Sequence, residues 1–304
     1  MTTQTFHHPG IGAMCQVAYS PSDAADFISQ LGPSDFKGYD PLSVSADLDW
    51  IGRKDLAGQG ITKRRQVAER LGEYVENDHK SIQNTRNQLS ELVDTIDLDQ
   101  LKRMLQWSDT RGRVNATRLL AGDSKFRRTF RKSLAPVEAV ALVVPTGANA
   151  MVSADVIFAR TAVALAASEL LTQAGFAVEV WGYAYSQECY RDADTGSKNA
   201  LAAVRLKAAD EHTNEAIAAS GGSAWFFRSG IFAMWASQGN ACSSLGRSIN
   251  LSDEQAKELC DVIGLEQAHV MKTGTGQNSV QAAIKAGIAD VKEALTKWIG
   301  GDSQ

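Results

Sequence analysis

The hydrophobic pattern between residues 137 and 185 predicts one β-α-β unit. Residues 137–144 (VEAVALVV) form an apolar, β-branched run with the length of a buried strand. The polar turn PTGANA at 145–150 interrupts this run, residues 154–173 have helical spacing, and residues 176–185 (FAVEVWGYAY) are strand-like again. We therefore expect residues 139–144 and 177–183 to lie side by side as parallel strands of a covered sheet.

The later hydrophobic segments continue the same alternation. Residues 202–208 and 268–271 predict strands, and residues 253–263 and 279–298 predict amphipathic helices. Ser252 with Gln255 three residues later is a capping-box pattern, and Gly264 is a natural helix stop. The dense aromatic residues of segment 225–235 are expected in the core. The predicted fold class is α/β, with a mostly parallel sheet and helices on both faces, over residues 136–304.

The pattern before residue 136 differs. The first sixty residues are rich in turn formers, so they predict mostly loop with brief helices. Helical spacing begins at Thr62, and short helices are predicted at 97–105, 114–120 and 124–130. Residues 1–135 are thus predicted to be a separate region, loop-rich at first and then helical.

Four turns follow the predicted strands, at 145–153, 186–198, 210–214 and 272–278. Ligands of open α/β sheets bind outside the carboxyl ends of the strands, so these turns are the predicted site. PTGANA matches neither a P-loop nor a dinucleotide fingerprint. The polar residues expected to bind a partner in these turns are Thr146, Asn149, Ser153, Asp210, His212, Thr213 and Thr273.

The succession of strand, turn, alanine-rich helix and VEVWGY strand resembles the first strand, metal-site loop, long helix and second strand of a von Willebrand factor A-like domain. It is similar to a degenerate branch found among bacteriophage-encoded proteins, and the resemblance covers residues 137–298. The family's metal-binding loop reads D-x-S-x-S, whereas the aligned stretch here is P-T-G-A-N-A-M-V-S. No carboxylate therefore stands at the first position of the motif.

This resemblance implies a scaffold that has lost its metal site. Magnesium prefers carboxylate and hydroxyl oxygens in octahedral geometry. Thr146, Asn149 and Ser153 could each supply a neutral oxygen, and with Asp210 and Thr213 in a later loop the candidate ligands are Ser153, Asp210 and Thr213. We expect no resident cofactor, with Mg²⁺ at these three residues as the alternative. The expected function is a non-enzymatic interaction protein, phage-associated, that binds a protein partner through the four turns. A metal-dependent or nucleotide-processing enzyme centred on Thr146, Asn149, Asp210 and His212 is an alternative, although no nucleophile–base pairing is visible.

Charge is distributed unevenly along the chain. Residues 102–133, the basic belt, carry ten Lys and Arg against two acidic residues, whereas each flanking segment has a net charge of −6. Basic side chains interleaved with aromatic ones suit single-stranded nucleic acid or another polyanion, which is a second alternative function. The belt could equally dock within the molecule against an acidic surface. The residues assigned to polyanion binding are Arg111, Arg113, Arg118, Lys125, Arg127, Arg128, Arg131 and Lys132.

The cysteines, the hydropathy and the start of the chain bear on the expected cellular compartment. The four cysteines contain no C-x-x-C pair and lack zinc-site spacing with the histidines, so they predict reduced, incidental thiols. No window is long and apolar enough for a membrane span, and the start of the chain lacks the features of a signal peptide. We expect no membrane partner and a cytoplasmic location, in the host cytoplasm if a phage encodes the chain.

Overall fold

A computed structural model describes residues 3–32, 35, 69–73, 82–83, 85, 87, 105–108, 113–114, 127–130, 139–147, 152–174, 176–192, 196–209, 214–237, 240–241, 250–272 and 279–300. Seven strands form the main sheet: β1 (Gln4–His8), β2 (Ala13–Ala18), β6 (Val140–Pro145), β7 (Val178–Asp192), β8 (Gly196–Lys207), β9 (Asn240–Ala241) and β10 (Gln267–Val270). Their order is β1-β2-β8-β7-β6-β10, and β9 pairs with the outer part of β7.

The predicted β-α-β unit is confirmed. Val140 pairs with Val178 and Pro145 with Tyr183 in a parallel ladder between β6 and β7. The connecting helix α2 (Ala154–Ala174) packs on both strands. Strand β10 adds in parallel to the other side of β6. Both β6 flanks are therefore occupied, which explains why all six of its residues are buried.

The sheet is mixed, with parallel pairs in the majority along the six-strand path. Strand β8 runs antiparallel to β7, and β1 runs antiparallel to β2, whereas β2 is parallel to β8. The prediction that residues 186–198 form a polar connection is wrong, because β7 continues to Asp192 and β8 begins at Gly196. Polar side chains do not prevent the backbone pairing of a hairpin, so composition alone was a poor guide here.

Helices cover both faces of the sheet. On one face, α1 (Pro21–Gln30), α2, α3 (Glu215–Gly221) and α7 (Val280–Gly300) share a core with alternate strand residues such as Leu142 and Val180. On the other face, α6 (Asp253–Ile263) packs Leu259 and Ile263 against Trp181 and its neighbours. The alternation of side chains along β6 and β7 produces these two cores.

The aromatic segment is buried as predicted. It comprises α4 (Ala224–Phe226), a π-helical turn (Phe227–Ile231) and α5 (Phe232–Ala236). Phe227, Phe232 and Trp235 contact one another with ring centroids 5.0–5.7 Å apart. The capping box of α6 is also confirmed, since Ser252 accepts from the Gln255 amide and Gly264 ends the helix with φ of 74°.

The structure of the first residues differs from the loop and brief helices that the sequence predicted. Residues 4–18 form a hairpin, β1 and β2, and β2 pairs with β8 in the main sheet. Ser20 then caps α1. The division at residue 135 therefore does not describe these two strands. Cys15 and Val17 belong to the core beneath α6 and Ala18 to the core on the opposite face, so β2 is covered on both sides. Its run AMCQVA therefore carries no period-2 signal, and turn formers flank it.

The short helices predicted in the basic belt are also wrong where the structure describes it. Strands β3 (Leu105–Ser108), β4 (Arg113–Val114) and β5 (Arg127–Phe130) form a second, antiparallel sheet in the order β3-β5-β4. Within the helical region predicted from Thr62 onward, residues 69, 82, 83, 85 and 87 are helical and residues 70–72 form a turn. The rest of that region, most of the helix at 97–105 and all but the first residue of the helix at 114–120 lie outside the described residues.

Candidate functional site

The carboxyl ends of β6 and β10 lie at the same end of the main sheet, beside Tyr183 in the middle of β7. Thr146, the first residue after β6, is buried, and its hydroxyl donates to the Tyr183 carbonyl oxygen at 3.1 Å. The Tyr183 hydroxyl donates in turn to the Met271 carbonyl oxygen at 3.4 Å, just beyond β10. The Thr146 side chain therefore ties neighbouring strands together, which is a structural use of a residue predicted to bind a partner.

Ser153 is the other described member of the predicted partner-binding set. It is exposed immediately before α2, and its carbonyl oxygen accepts from the Ile157 amide at 3.2 Å. The remaining members lie outside the described residues: Asn149, Asp210, His212, Thr213 and Thr273. The predicted Mg²⁺ ligand set, Ser153 with Asp210 and Thr213, stays a prediction for the same reason.

A groove that the sequence did not predict lies along β10, the last strand of the six-strand path. Helix α6 forms one wall, α7 forms the other, and β10 forms the floor. Its volume is about 490 Å³. The groove reaches Lys272, the first residue of the predicted turn 272–278, so it borders the expected ligand end of the sheet.

The edge of β10 presents backbone groups to this groove. The Met271 amide donates to the Val143 carbonyl oxygen at 2.9 Å, so the backbone of Met271 faces β6. In a parallel ladder alternate residues bond to the same neighbour. The N–H and C=O groups of Ala268 and Val270 therefore point away from β6, and both residues line the groove.

Charged side chains dominate the walls of the groove. Five carboxylates face three lysines across it, an excess of two negative charges: Asp253, Asp261, Glu266, Asp290 and Glu293 with Lys257, Lys272 and Lys297. Lys272 and Asp253 form an ion pair at 2.7 Å, but both side chains are well exposed. Such an exposed pair contributes little to stability, so it can open at small cost.

His269, Asp290 and Glu293 come together on the α7 side of the groove. Each offers one ligand atom, and these atoms lie within 4.8 Å of one another. Burial lowers the pKa of His269, which favours the neutral imidazole that binds metals. Burial and the neighbouring Glu293 raise the pKa of Asp290 to about 6. This arrangement could hold a divalent metal ion with open positions for water.

Sequence reasoning missed this cluster for a definable reason. Asp290 and Glu293 are three residues apart and therefore share one face of α7. His269 occurs within a short apolar strand rather than in a turn. His269 and Asp290 are 21 positions apart in the sequence. Nothing in this spacing indicates that β10 and α7 bring the three side chains together.

The basic belt is only partly described. Arg113, Arg127 and Arg128 occupy β4 and β5, and Arg113 is the register partner of Arg128. Pairing thus sets two basic positions opposite each other in the small sheet. The other assigned members lie outside the described residues: Arg111, Arg118, Lys125, Arg131 and Lys132. Polyanion binding by the belt stays a prediction.

A family model described as "Domain of unknown function (DUF7192)" matches residues 19–275. The chain belongs to the DUF7192 family. The matched span of this DUF7192 protein includes β6, α2, β7, β8 and β10. It also includes His269, whereas Asp290 and Glu293 of the groove lie beyond it. No curated protein and no solved structure matches the DUF7192 chain.

Among the helices that the structure describes, none combines the length and apolar character needed to cross a bilayer.

Proposed function

We propose that this DUF7192 protein is a non-enzymatic interaction protein that binds an extended, basic segment of a protein partner along β10. The observation that carries the proposal is the outer edge of β10, which no described strand covers, within a groove of net negative charge. A partner strand would add to the outward backbone groups of Ala268 and Val270, as in β-augmentation. Lysine or arginine side chains of that segment would meet the carboxylates of α6 and α7.

The scaffold of this proposal is a von Willebrand factor A-like domain with a degenerate metal loop. The parallel pairing of β6 with β7 through α2 supports that part, since it supplies the strand, loop, helix and strand of the resemblance. The engaged hydroxyl of Thr146 also supports a loop that serves the fold rather than an ion. A phage-associated role and a cytoplasmic setting belong to the same proposal.

The experiment uses a proline to block strand addition. The purified protein is titrated with a fluorescent library of extended lysine-rich peptides, and the tightest peptide is retained. Val270→Pro removes an amide that points away from β6, so the main sheet keeps its ladder. We expect at least a tenfold loss of affinity. Val270→Thr, which keeps the amide, serves as the matched control and should bind like the parent protein.

Two results would overturn strand addition at β10. One is a library that yields no binder at low salt. The other is a selected peptide whose affinity is unchanged by Val270→Pro. A selected peptide should also bind more weakly to an Asp290→Asn, Glu293→Gln double variant, because two of the attracting charges are then absent.

Metal binding is a second candidate function of the same groove, favoured by the His269, Asp290 and Glu293 cluster. Imidazole with two carboxylates suits Zn²⁺ or another first-row divalent ion. Protein dialysed against zinc and then against buffer should retain about one equivalent by mass spectrometry, and His269→Ala should lose it. Equal retention by His269→Ala and the parent protein would eliminate this site.

A further inference from the structure

Arg160 is a buried cation on the second turn of α2. Its side chain is 5% exposed, and its Nε and Nη1 atoms have no hydrogen-bond partner among the described residues. Two other buried cations behave differently. Arg228 donates from Nη2 to the Val152 carbonyl oxygen at 2.8 Å, and Lys207 donates from Nζ to the Val178 carbonyl oxygen at 2.7 Å. The Nε of Arg228 is likewise buried without an acceptor among the described residues, so Arg160 differs in having two such atoms rather than one.

The burial of the Arg160 charge is energetically unfavourable in this arrangement. Burial lowers the pKa of its guanidinium, yet arginine stays protonated at neutral pH. No salt bridge among the described residues includes it. Placing a charged group in a protein interior without a counter-charge costs several kcal/mol. An anion that reached the guanidinium would offset this cost and satisfy its N–H groups.

The surroundings place Arg160 close to the carboxyl ends of the parallel strands. Its charge acts on the phenol of Tyr183, whose hydroxyl reaches the Met271 carbonyl oxygen beyond β10. Helix α2 begins at Ala154 beside the same edge, and the N-terminal end of a 21-residue helix carries partial positive charge. Arg160 lies on the next turn, six residues after this start, so the helix dipole reinforces the charge of its guanidinium only weakly.

We propose that Arg160 is the central residue of a buried oxyanion-binding site at the start of α2. The ligand chemistry is an oxygen anion able to take the Nε and Nη1 hydrogens side by side, either a carboxylate or a phosphate-type group. Arg160 is not among the residues that line the groove between α6 and α7, although Tyr183 interacts electrostatically with both Arg160 and Asp290. It stands or falls independently of the partner segment proposed for β10.

The test measures the thermal unfolding of the purified protein in sodium phosphate, sodium acetate and sodium chloride at equal ionic strength. Phosphate or acetate should raise Tm by about 2–5 °C over chloride at tens of millimolar. A response to phosphate alone assigns a tetrahedral anion, and a response to acetate alone assigns a carboxylate. Arg160→Met should abolish either response, and Arg160→Lys should weaken it.

Two controls keep the result interpretable. Thr161 neighbours Arg160 on α2, and its hydroxyl donates a buried hydrogen bond to the Gly222 carbonyl oxygen. Thr161→Val removes this bond, so it should lower Tm yet keep the anion response. Arg70→Met removes an exposed arginine paired with Glu73 and should also keep it. Equal Tm of the parent protein in all three salts overturns the proposal, as does an undiminished response in Arg160→Met. Direct titration of the parent protein with phosphate, followed by ³¹P line broadening, decides the case if Arg160→Met fails to fold.

Discussion

The thiols of Cys15 and Cys260 are held in their protonated form. Burial raises the pKa of Cys15 to about 12 and that of Cys260 to about 11. The thiolate is the reactive species, so at pH 8 its population falls by roughly three and two orders of magnitude below that of an ordinary cysteine. For these two cysteines, a protonated thiol is consistent with the prediction of incidental thiols, whereas the side chains of Cys189 and Cys242 lie outside the described part of the chain.

We therefore expect iodoacetamide to leave both residues unmodified in the native protein at pH 8 over a period that labels free cysteine completely. Peptide mass spectrometry measures the labelling, and the same reaction in urea is the control that should label both. Rapid native labelling of Cys15 would contradict its placement in the core.

Asp290 gives the groove a pH-dependent stability. Because its pKa is raised to about 6 in the folded protein, the folded state binds the proton more tightly than the unfolded state does. The resulting stabilisation is fully present below about pH 4 and is lost as pH rises through about 6. Asp290→Asn removes this dependence and should raise Tm at pH 7 by about 1–2 °C, since the carboxyl is half-exposed.

Calorimetry of the parent protein and Asp290→Asn between pH 4 and pH 8 measures the effect. Asp26→Asn removes an exposed carboxylate of α1 and corrects for the change in net charge. Parallel Tm curves for the parent protein and Asp290→Asn would show that the carboxyl ionises in the folded state as freely as in the unfolded chain.

At the level of elements, the contact between α2 and the turn after α3 depends on Gly222. A Cβ built there would lie 2.2 Å from the Thr161 methyl carbon. Gly222→Ala should lower the free energy of unfolding by about 1–3 kcal/mol, because the packed core cannot absorb the added group. Chemical denaturation measures this loss.

Thr161→Ser supplies the matched background, since it deletes the methyl group and keeps the hydroxyl. On that background, Gly222→Ala should cost less than half as much, which a double-mutant cycle measures. Equal costs on the two backgrounds would mean that the strain arises elsewhere.

The elements also show which parts of the fold a sequence pattern can predict. The sequence predicts β6, β7, α6 and α7 correctly. The inner parts of the two strands are apolar runs, and the two helices repeat apolar residues every three or four positions. Strand β2 was missed because its short apolar run lies between turn formers, and the outer parts of β7 and β8 were missed because their sequences, SQECYRD and GSK, are polar. The groove cluster was missed because tertiary contact, not spacing, joins His269 to α7.

At the scale of the whole molecule, the N-terminal hairpin completes the main sheet. Deleting residues 1–19 removes β1 and β2, exposes the edge of β8 and opens the core that contains Cys15 and Val17. We expect the cooperative unfolding transition to disappear and the protein to aggregate. Deleting residues 1–9 removes only the outer strand and should leave a cooperative, less stable protein. Circular dichroism during heating distinguishes these outcomes.

The charge distribution of the chain supports one further whole-molecule test. If the basic belt binds polyanions, fluorescence anisotropy should detect binding of a labelled single-stranded 30-nucleotide DNA at low salt. The affinity should fall steeply as the salt concentration increases. A triple change of Arg113, Arg127 and Arg128 to Ser should reduce the salt dependence by roughly 0.7 per lost phosphate contact. Changing Lys257 to Ser is the control outside the belt. A flat isotherm for the parent protein at low salt would favour docking of the belt within the molecule.

The opposed strand directions divide the helix starts between the two ends of the sheet. Helices α1 and α3 begin beyond the carboxyl ends of β2 and β8, whereas α2 and α7 begin beyond those of β6 and β10. Each helix start carries roughly half a positive charge, so neither end of the molecule collects all of this potential. An anion near the molecule therefore meets positive potential at both ends of the sheet, with Arg205 near the start of α1 and Arg160 on α2.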